Sequence, residues 1–179
     1  ISIVWEQVVP KSIELLREIL PRMARAGLLL DATSPGSKMA EENVRRVAKT
    51  YGATIVPYVV SSQAELEKSL AAMAKDRLDA FAVGAGGVIV NNSQLITENS
   101  LRLKIPMAGN PAVEGLFSYA ASLLQAYRDS ARYVDRILKG ANPAELPAEQ
   151  PTKLDLVINM KAAKAIGLGG LLEAEKQFG

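Results

Sequence analysis

Polar side chains that could contact a small ligand lie just after the apolar, strand-like runs of this sequence. They occur in the segments DATSPGS (31–37), VSSQ (60–63), GAGGVIVNN (84–92) and AGNPAVEG (108–115). Hydroxyl and amide groups, such as those of Ser34, Ser37 and Asn91, donate and accept hydrogen bonds. The carboxylate of Glu114 can pair with an ammonium group of a ligand. These residue types favour recognition of a small polar molecule.

Each of these side chains also has a purely structural explanation. Ser34 followed by Pro35 is typical of the start of a helix, and Ser37 is a second candidate N-cap. Asn91 is equally typical of a turn or a cap, and Glu114 of a solvated loop. Residue type alone leaves both explanations open.

Catalytic chemistry finds little support in the sequence. The chain contains no Cys and no His, which excludes thiol catalysis, Cys or His zinc sites, Ser-His triads and disulfides. Asp31 follows a strand-like run, as many catalytic aspartates do, but no nucleophile with an adjacent base and no spaced pair of carboxylates accompanies it. We therefore expect a binding protein rather than an enzyme, without catalytic residues and without a metal site.

The glycines at positions 84, 86 and 87 raise the question of a dinucleotide. The pattern G-x-G-x-x-G needs a third glycine at position 89, and this chain has Ile89 there. A permissive turn explains the glycines equally well. No nucleotide and no other cofactor is therefore expected.

The composition is that of an ordinary globular protein of 179 residues, with 49% hydrophobic and 22% charged residues. The formal net charge of +2 and the dispersed basic residues give no indication of a nucleic-acid partner. No apolar run reaches the roughly 20 residues that span a bilayer. The chain starts at Ile1 rather than Met, which suggests a processed or cloned fragment, so the lack of a signal sequence says little about location.

Short apolar runs alternate with segments of helical periodicity. The predicted strands are 26–32, 54–60, 79–83, 105–109 and 153–160, and LFSYA (116–120) is a further short extended segment. The predicted helices include 10–23, the segment after Ser34, the segment after Ser62, 93–103 and 121–138. This alternation is typical of βα units with a parallel sheet. Pro57 indicates that the second strand lies at a sheet edge or contains a bulge. Ser62 and Glu65 have the spacing of a capping box.

The segment LPAEQPTKLDLVINMKAAKAIGL (146–168) resembles the ending of ABC transporter substrate-binding proteins of the tryptophan- and tyrosine-binding type. In that family the ending reads L-P-x-E-Q-P-T-K-x-x-L-V-I-N-x-K-x-A-K-x-x-G-L, and nearly every position is present here. The segments IELLREILPRMARAGLLLDATSPGS (13–37) and SYAASLLQAYRDSARYVDRILKGANPAELP (118–147) resemble the family more loosely. The resemblance covers residues 12–168.

The resemblance implies the fold of type I periplasmic binding proteins, in which two Rossmann-like lobes close on a small ligand. The expected fold class is α/β, a Rossmann-like parallel sheet flanked by helices that forms one such lobe. By this resemblance residues 1–112 form the second lobe. Residues 113–146 form a crossover segment and a helix of the first lobe, and residues 147–179 a return strand and a C-terminal helix on the second lobe.

The resemblance also implies a site and partners. The implied ligand-binding residues are Asp31, Ser34, Ser37, Asn91, Asn110 and Glu114. Asp31 stands where the family has Asn in its N-P-x-N-P-G-S loop. The implied partners are a small-molecule ligand, an amino acid or a similar compound, and an ABC transporter permease. The implied location is periplasmic or extracellular, with attachment to the membrane through the transporter.

The starting half of the first lobe has no counterpart in this sequence, so the helix 121–138 would carry an apolar face without a partner. We expect this helix to pack back on its own lobe, or residues 113–140 to be exchanged with a second copy in a homodimer. We also expect weak or no ligand binding by this chain alone.

Three other functions remain open at this point. The effector-binding domain of a LacI-like regulator shares the expected fold. A small flavodoxin-like or nucleotide-binding enzyme would contain a bound flavin or nucleotide. A truncated interaction module would use the apolar helix face to bind another protein.

Overall fold

The computed structural model describes residues 5–147 and 154–168. Strands in this part of the chain are β1 (Arg25–Asp31), β2 (Thr54–Val60), β3 (Ala80–Val83), β4 (Met107–Gly109), β5 (Phe117–Ala121) and β6 (Leu154–Ile158). Helices are α1 (Trp5–Ile19), α2 (Ser37–Thr50), α3 (Gln63–Met73), α4 (Gly87–Asn91), α5 (Ser93–Leu103), α6 (Leu123–Leu138) and α7 (Met160–Ala165), with a 3-10 turn at Pro143–Glu145. Within these ranges no helix is long and apolar enough to cross a membrane.

The strands form one sheet in the order β2-β1-β3-β4-β5-β6. The first five are parallel, and β6 runs antiparallel to β5. β1 is buried along nearly its whole length, which explains why its sequence is a continuous apolar run. β2 is an edge strand, as its Pro57 predicts. A mostly parallel sheet flanked by helices confirms the predicted fold class.

Helices cover both faces of the sheet. One face packs against α1, α2 and α7, with Ile13, Leu16, Val44 and Ala163 in its core. The other face packs against α3, α4 and α5, with Leu66, Leu70, Met73, Ile89 and Ile96 in its core. Burial of a large apolar side chain is worth about 2 kcal/mol. The two cores therefore make the sheet a rigid base for the loops at its ends.

Two helix starts differ from the prediction. α1 begins at Trp5 rather than near residue 10, and Pro10 lies inside the helix, where it removes one backbone hydrogen bond. The N-cap of α2 is Gly36, so the prediction of Ser34 as the cap is wrong. The reason is a pair of tight turns before the helix, in which the Ser34 amide donates to the Asp31 carbonyl and the Ser37 amide to the Ser34 carbonyl.

The start of α3 agrees with the prediction. The Ser62 hydroxyl accepts a hydrogen bond of 3.3 Å from the Glu65 amide, as an N-cap should. The Glu65 carboxylate accepts from the amide and the hydroxyl of Ser61, both at 2.7 Å, so the acidic half of the box reaches one residue further back than expected. The segment 84–92, expected as a glycine-rich turn, contains the short helix α4.

β5 lies within the range 113–146 that the sequence assigns to a crossover segment. It pairs in parallel with β4 and antiparallel with β6. Its last residue, Ala121, lies opposite Leu154, the first residue of β6. The chain therefore leaves the sheet after Ala121 and rejoins it at the same end. The helix predicted to follow the return strand corresponds to α7. Residues 148–153 and 169–179, which include the first part of the predicted return segment, lie outside the described ranges.

α6 stands apart from both cores. The side chains of Tyr127, Val134 and Leu138 are 73%, 55% and 82% exposed. Within the described residues α6 makes no extended packing contact with another helix or strand. Contrary to the prediction that this helix packs back on its own lobe, the described part of the chain does not cover its apolar side chains. Its exchange with a second copy stays a prediction.

Candidate ligand-binding site

The carboxyl ends of the five parallel strands meet at one end of the sheet, which we call the carboxyl edge. The loops that follow β1, β3 and β4 are residues 32–36, 84–86 and 110–116. In open α/β sheets ligands bind beyond this edge. Five of the six predicted ligand-binding residues lie in these loops or directly beside them, and Asn91 lies at the far end of α4.

Asp31 points into the protein rather than toward the ligand side of the edge. It is fully buried. Its Oδ1 atom accepts hydrogen bonds from the Thr33 amide at 2.8 Å and from the Thr33 hydroxyl at 2.6 Å. Its Oδ2 atom accepts a bond of 2.8 Å from the Val88 amide. The carboxylate therefore joins the loop after β1 to the first turn of α4.

These hydrogen bonds keep a buried carboxylate charged. Burial by itself raises the pKa of Asp31, because it penalises the anion. The bonds from the Thr33 hydroxyl, the Thr33 amide and the Val88 amide lower it by more, so the pKa lies below its ordinary value of 3.8. At neutral pH Asp31 is an anion stabilised by three oriented dipoles of the protein.

Gly86 allows the loop after β3 to approach Asp31. Its φ of +153° is a conformation that residues with a side chain rarely adopt. A Cβ atom at this position would lie 2.3 Å from the Cβ atom of Asp31. Close packing against Asp31 therefore explains this glycine, without any role in binding a dinucleotide.

Asn110 is also turned inward, with an exposed fraction of only 5%. Its Nδ2 atom donates a hydrogen bond of 2.8 Å to the Gly84 carbonyl. Its Oδ1 atom accepts from the Ala112 amide at 2.8 Å and the Val113 amide at 3.1 Å. Asn110 therefore joins the loop after β3 to the loop after β4.

Ser34 and Ser37 line a cavity of about 410 Å³ over the loop after β1. Other residues that line it include Ala32, Thr33, Pro35, Lys38, Glu41 and Val59. The Ser37 hydroxyl donates to the Asp31 carbonyl at 2.6 Å, whereas the Ser34 hydroxyl makes no hydrogen bond to the described part of the chain. A hydroxyl and an ammonium group beside the exposed Val59 suit a ligand that carries both a carboxylate and an apolar group.

Glu114 lines a second cavity of about 400 Å³, together with Asn110, Ser118, Val157 and Asn159. The Thr97 hydroxyl donates to the Glu114 carbonyl at 2.9 Å, which holds the backbone of the loop. Glu114 itself is exposed, so its carboxylate is accessible to a positively charged group.

The structure thus divides the six predicted residues into groups. Ser34 and Ser37 share one cavity, and Asn110 and Glu114 share another. Asp31 lies buried below the loops, and Asn91 is exposed and lines neither cavity. The predicted ligand contacts of these residues stay proposals.

Sequence reasoning missed Thr33 and Lys38. Thr33 stands two residues after Asp31, and this spacing is the signal of a turn in which an aspartate accepts from the second following amide. Lys38 gave no signal, because a lysine in the first turn of a surface helix is ordinary.

A curated relative covers most of this chain. A tyrosine-binding protein from Clostridioides difficile (strain R20291) is 19% identical over 167 residues, which cover 89% of this chain and 47% of that protein. The chain therefore spans about half the length of the curated relative that it matches.

Solved structures share the fold. An ABC domain in complex with L-Trp from Streptococcus pneumonia has a TM-score of 0.78 at 24% identity, over 92% of this chain and 57% of that one. A conserved domain protein from Vibrio cholerae has a TM-score of 0.79 at 23% identity, over 89% and 55%. A LacI-family repressor from Corynebacterium glutamicum has a TM-score of 0.61 at 13% identity, over 89% and 65%.

A family model identifies the family of this chain. The profile described as ABC transporter substrate binding protein matches residues 5–170. The matched range contains all six strands and every loop of the carboxyl edge. The resemblance seen in the closing segment 146–168 therefore extends over nearly the whole sequence. This chain belongs to the family of ABC transporter substrate binding proteins.

Proposed function

We propose that this chain forms one lobe of an extracytoplasmic substrate-binding protein, which captures an amino acid and delivers it to an ABC transporter permease. The observation that carries the proposal is the excursion of the chain at the carboxyl edge. The chain leaves the sheet after Ala121 and is paired in it again at Leu154, and the intervening stretch contains α6 with its uncovered apolar side chains. A second lobe opposite this edge would cover α6 and enclose a ligand against the loops.

The division of the chain follows from the same feature. We place the lobe in residues up to 121 and from 154 onward, because β5 pairs with β4 and with β6 in this sheet. Residues 122–153 then form the crossover segment, a shorter range than the 113–146 expected from the sequence. α6 packs on the first lobe in this arrangement.

The chemistry of the cavity over the loop after β1 supports an amino-acid ligand. Lys38 and the Ser34 hydroxyl suit the carboxylate of such a ligand, and Val59 in the same cavity suits its apolar side chain. The cavity with Glu114 lies three strands away in the sheet, roughly 14 Å at a strand spacing of about 4.8 Å, so the same molecule does not reach it. One solved relative has L-Trp in its described complex, and one curated relative is named a tyrosine-binding protein. We therefore propose an aromatic L-amino acid as the ligand of this chain.

The mechanism is closure of two lobes around the ligand, with no bond made or broken. Contacts from both lobes stabilise the closed state, so the ligand shifts a hinge equilibrium. A single lobe supplies only part of these contacts. We therefore expect an affinity of this chain in the millimolar range, about 4 kcal/mol of binding free energy.

The test is an NMR titration of this chain with L-Trp and L-Tyr, because NMR detects millimolar binding. Shifts should be largest at amides of residues 32–38, which line the cavity with Ser34 and Lys38. Lys38→Gln should weaken binding, whereas Lys75→Gln, at a surface position outside both cavities, should not. A folded chain whose carboxyl-edge amides do not respond to either amino acid, or respond equally to glycerol, contradicts the proposed ligand.

A further inference from the structure

We propose that Asp31 and Asn110 are positioning residues that couple the three loops of the carboxyl edge through the glycine-rich loop between them. The inference rests on the proposed function only for its consequence for ligand binding. The coupling itself follows from contacts inside the protein. Both residues were candidates for direct ligand contact, and the structure shows their polar atoms bonded to neighbouring loops.

The first link runs from the loop after β1 to the loop after β3. The carboxylate of Asp31 accepts two hydrogen bonds from Thr33 in its own loop. It accepts one more from the amide of Val88 in α4, the helix that follows the neighbouring strand β3. Its three partners are all donors, so only an ionised carboxylate can accept from each of them without losing one. This requirement distinguishes Asp31 from an asparagine, which would place an NH₂ group against an N–H group.

The second link runs from the loop after β3 to the loop after β4. Asn110 donates to the Gly84 carbonyl and accepts from the amides of Ala112 and Val113. Here the partners are one acceptor and two donors, so a carboxamide fits and a carboxylate does not. The two links thus require different side chains for the same physical reason.

The two links meet in one short segment. Asn110 holds Gly84 at its beginning, and Asp31 holds Val88 at its end. Between them, Gly86 packs against Asp31 so closely that a Cβ atom would lie 2.3 Å from the Asp31 Cβ atom. A displacement of this segment therefore disturbs both links, which is the physical basis of the coupling.

The consequence for binding is preorganisation. Loops held in one arrangement before the ligand arrives lose less conformational entropy when it binds. Asp31 and Asn110 would then raise the affinity without touching the ligand. The direct contacts would fall to accessible side chains such as Ser34 and Lys38.

Amide hydrogen exchange of this chain tests the coupling without any ligand. Asp31→Asn should accelerate exchange at Ala112 and Val113 by about tenfold, although both amides are bonded to Asn110. Asn110→Asp should accelerate exchange at Val88 by a similar factor, although that amide is bonded to Asp31. Rates are compared with those of β1 amides, which report global unfolding. Acceleration confined to Thr33 and Val88 in the first variant overturns the proposal.

Two further variants provide a substitute for Asp31→Asn and a control. Thr33→Ala removes only the hydroxyl bond to Asp31 and serves if Asp31→Asn does not fold. It should produce a weaker form of the same pattern. Ser100→Ala removes a buried hydrogen bond of 2.8 Å to the Ile105 carbonyl, outside the carboxyl-edge loops. This control should leave the relative exchange rates of Val88, Ala112 and Val113 unchanged, and a change there equal to that of Asp31→Asn contradicts a specific coupling.

A titration of the same variants with L-Trp separates the two proposals. If the chain binds L-Trp, Asp31→Asn and Thr33→Ala should weaken binding at least about fivefold, and equal affinity overturns preorganisation. If the unmodified chain does not bind L-Trp, the proposed ligand fails. Hydrogen exchange still decides whether the loops are coupled.

Discussion

The Oδ2 atom of Asp31 accepts a hydrogen bond of 2.8 Å from the amide of Val88, which lies 57 positions further along the chain. Asp31 ends the central strand β1, and Val88 lies in the first turn of α4. A residue type that could face a ligand instead holds two loops of the fold together. Several measurable properties of the chain depend on this contact.

Removal of the Asp31 carboxylate should destabilise the chain strongly. Asp31→Ala leaves the amides of Thr33 and Val88 buried without their acceptor, and we expect a loss of about 3 kcal/mol in the free energy of unfolding. Urea denaturation followed by circular dichroism measures the change. Asp135→Ala, whose side chain is 60% exposed on α6, is the control and should change stability by less than about 0.5 kcal/mol. Equal effects of the two substitutions contradict the role assigned to Asp31.

The stability of the chain should depend on pH through the same residue. The pKa of Asp31 is lower in the folded state than its ordinary 3.8, so the folded state binds the proton less readily than the unfolded state. The contribution to stability is therefore fully present above the unfolded pKa and is lost as pH falls through the folded one. Between about pH 5 and pH 2 the free energy of unfolding should fall more steeply for the unmodified chain than for Asp31→Asn. Parallel profiles would show that Asp31 does not titrate with a lowered pKa.

Gly86 and Gly87 form a matched pair for testing the packing against Asp31. Gly86→Ala places a Cβ atom 2.3 Å from Asp31 at a strained φ, and we expect a loss of about 3 kcal/mol in stability. Gly87→Ala places its Cβ atom where nothing lies within 4 Å, at an exposed helical position. That change should be neutral or stabilise by up to about 1 kcal/mol. Thermal unfolding measures the stability of both variants. Similar transition temperatures would contradict the close packing of Gly86 against Asp31.

The exposed side of α6 should govern self-association of the isolated chain. The double substitution Val134→Gln and Leu138→Gln should leave the free energy of unfolding within about 0.5 kcal/mol, because both side chains are already exposed. It should nevertheless reduce concentration-dependent association in analytical ultracentrifugation, since it removes the apolar stripe. Arg128→Gln on the same helix is the control. A strong loss of stability in the double variant would show that α6 is covered within its own chain.

The periodic parts of the fold were accessible to sequence reasoning. Leu66, Leu70 and Met73 recur at helical spacing and are buried on α3, and the apolar run of β1 predicts a central strand. Such elements depend on side chains within one segment. The start of α2 could not be predicted in this way. Ser34 is a good N-cap by residue type, but its amide donates to the Asp31 carbonyl and holds it in a tight turn before the helix.

The direction of side chains at the site was harder to predict than their position. The sequence places Asp31 and Asn110 at the carboxyl edge correctly, but their hydrogen-bond partners come from other strands. Those partners depend on the order β1-β3-β4 and on a glycine that permits close approach, and neither can be read from the residues next to them in the sequence. The exposure of α6 likewise depends on where the chain goes after Ala121.

The two margins of the sheet differ in their ability to accept another strand. In β2 the Thr54 amide and the Val60 carbonyl point toward β1, so alternation directs the backbone nitrogen of Pro57 outward, where it has no hydrogen to donate. A foreign strand therefore meets a gap in the ladder at that margin. β6 carries no proline between Leu154 and Ile158, and its Val157 is 60% exposed. Within the described residues, strand addition is therefore less favourable at β2 than at β6.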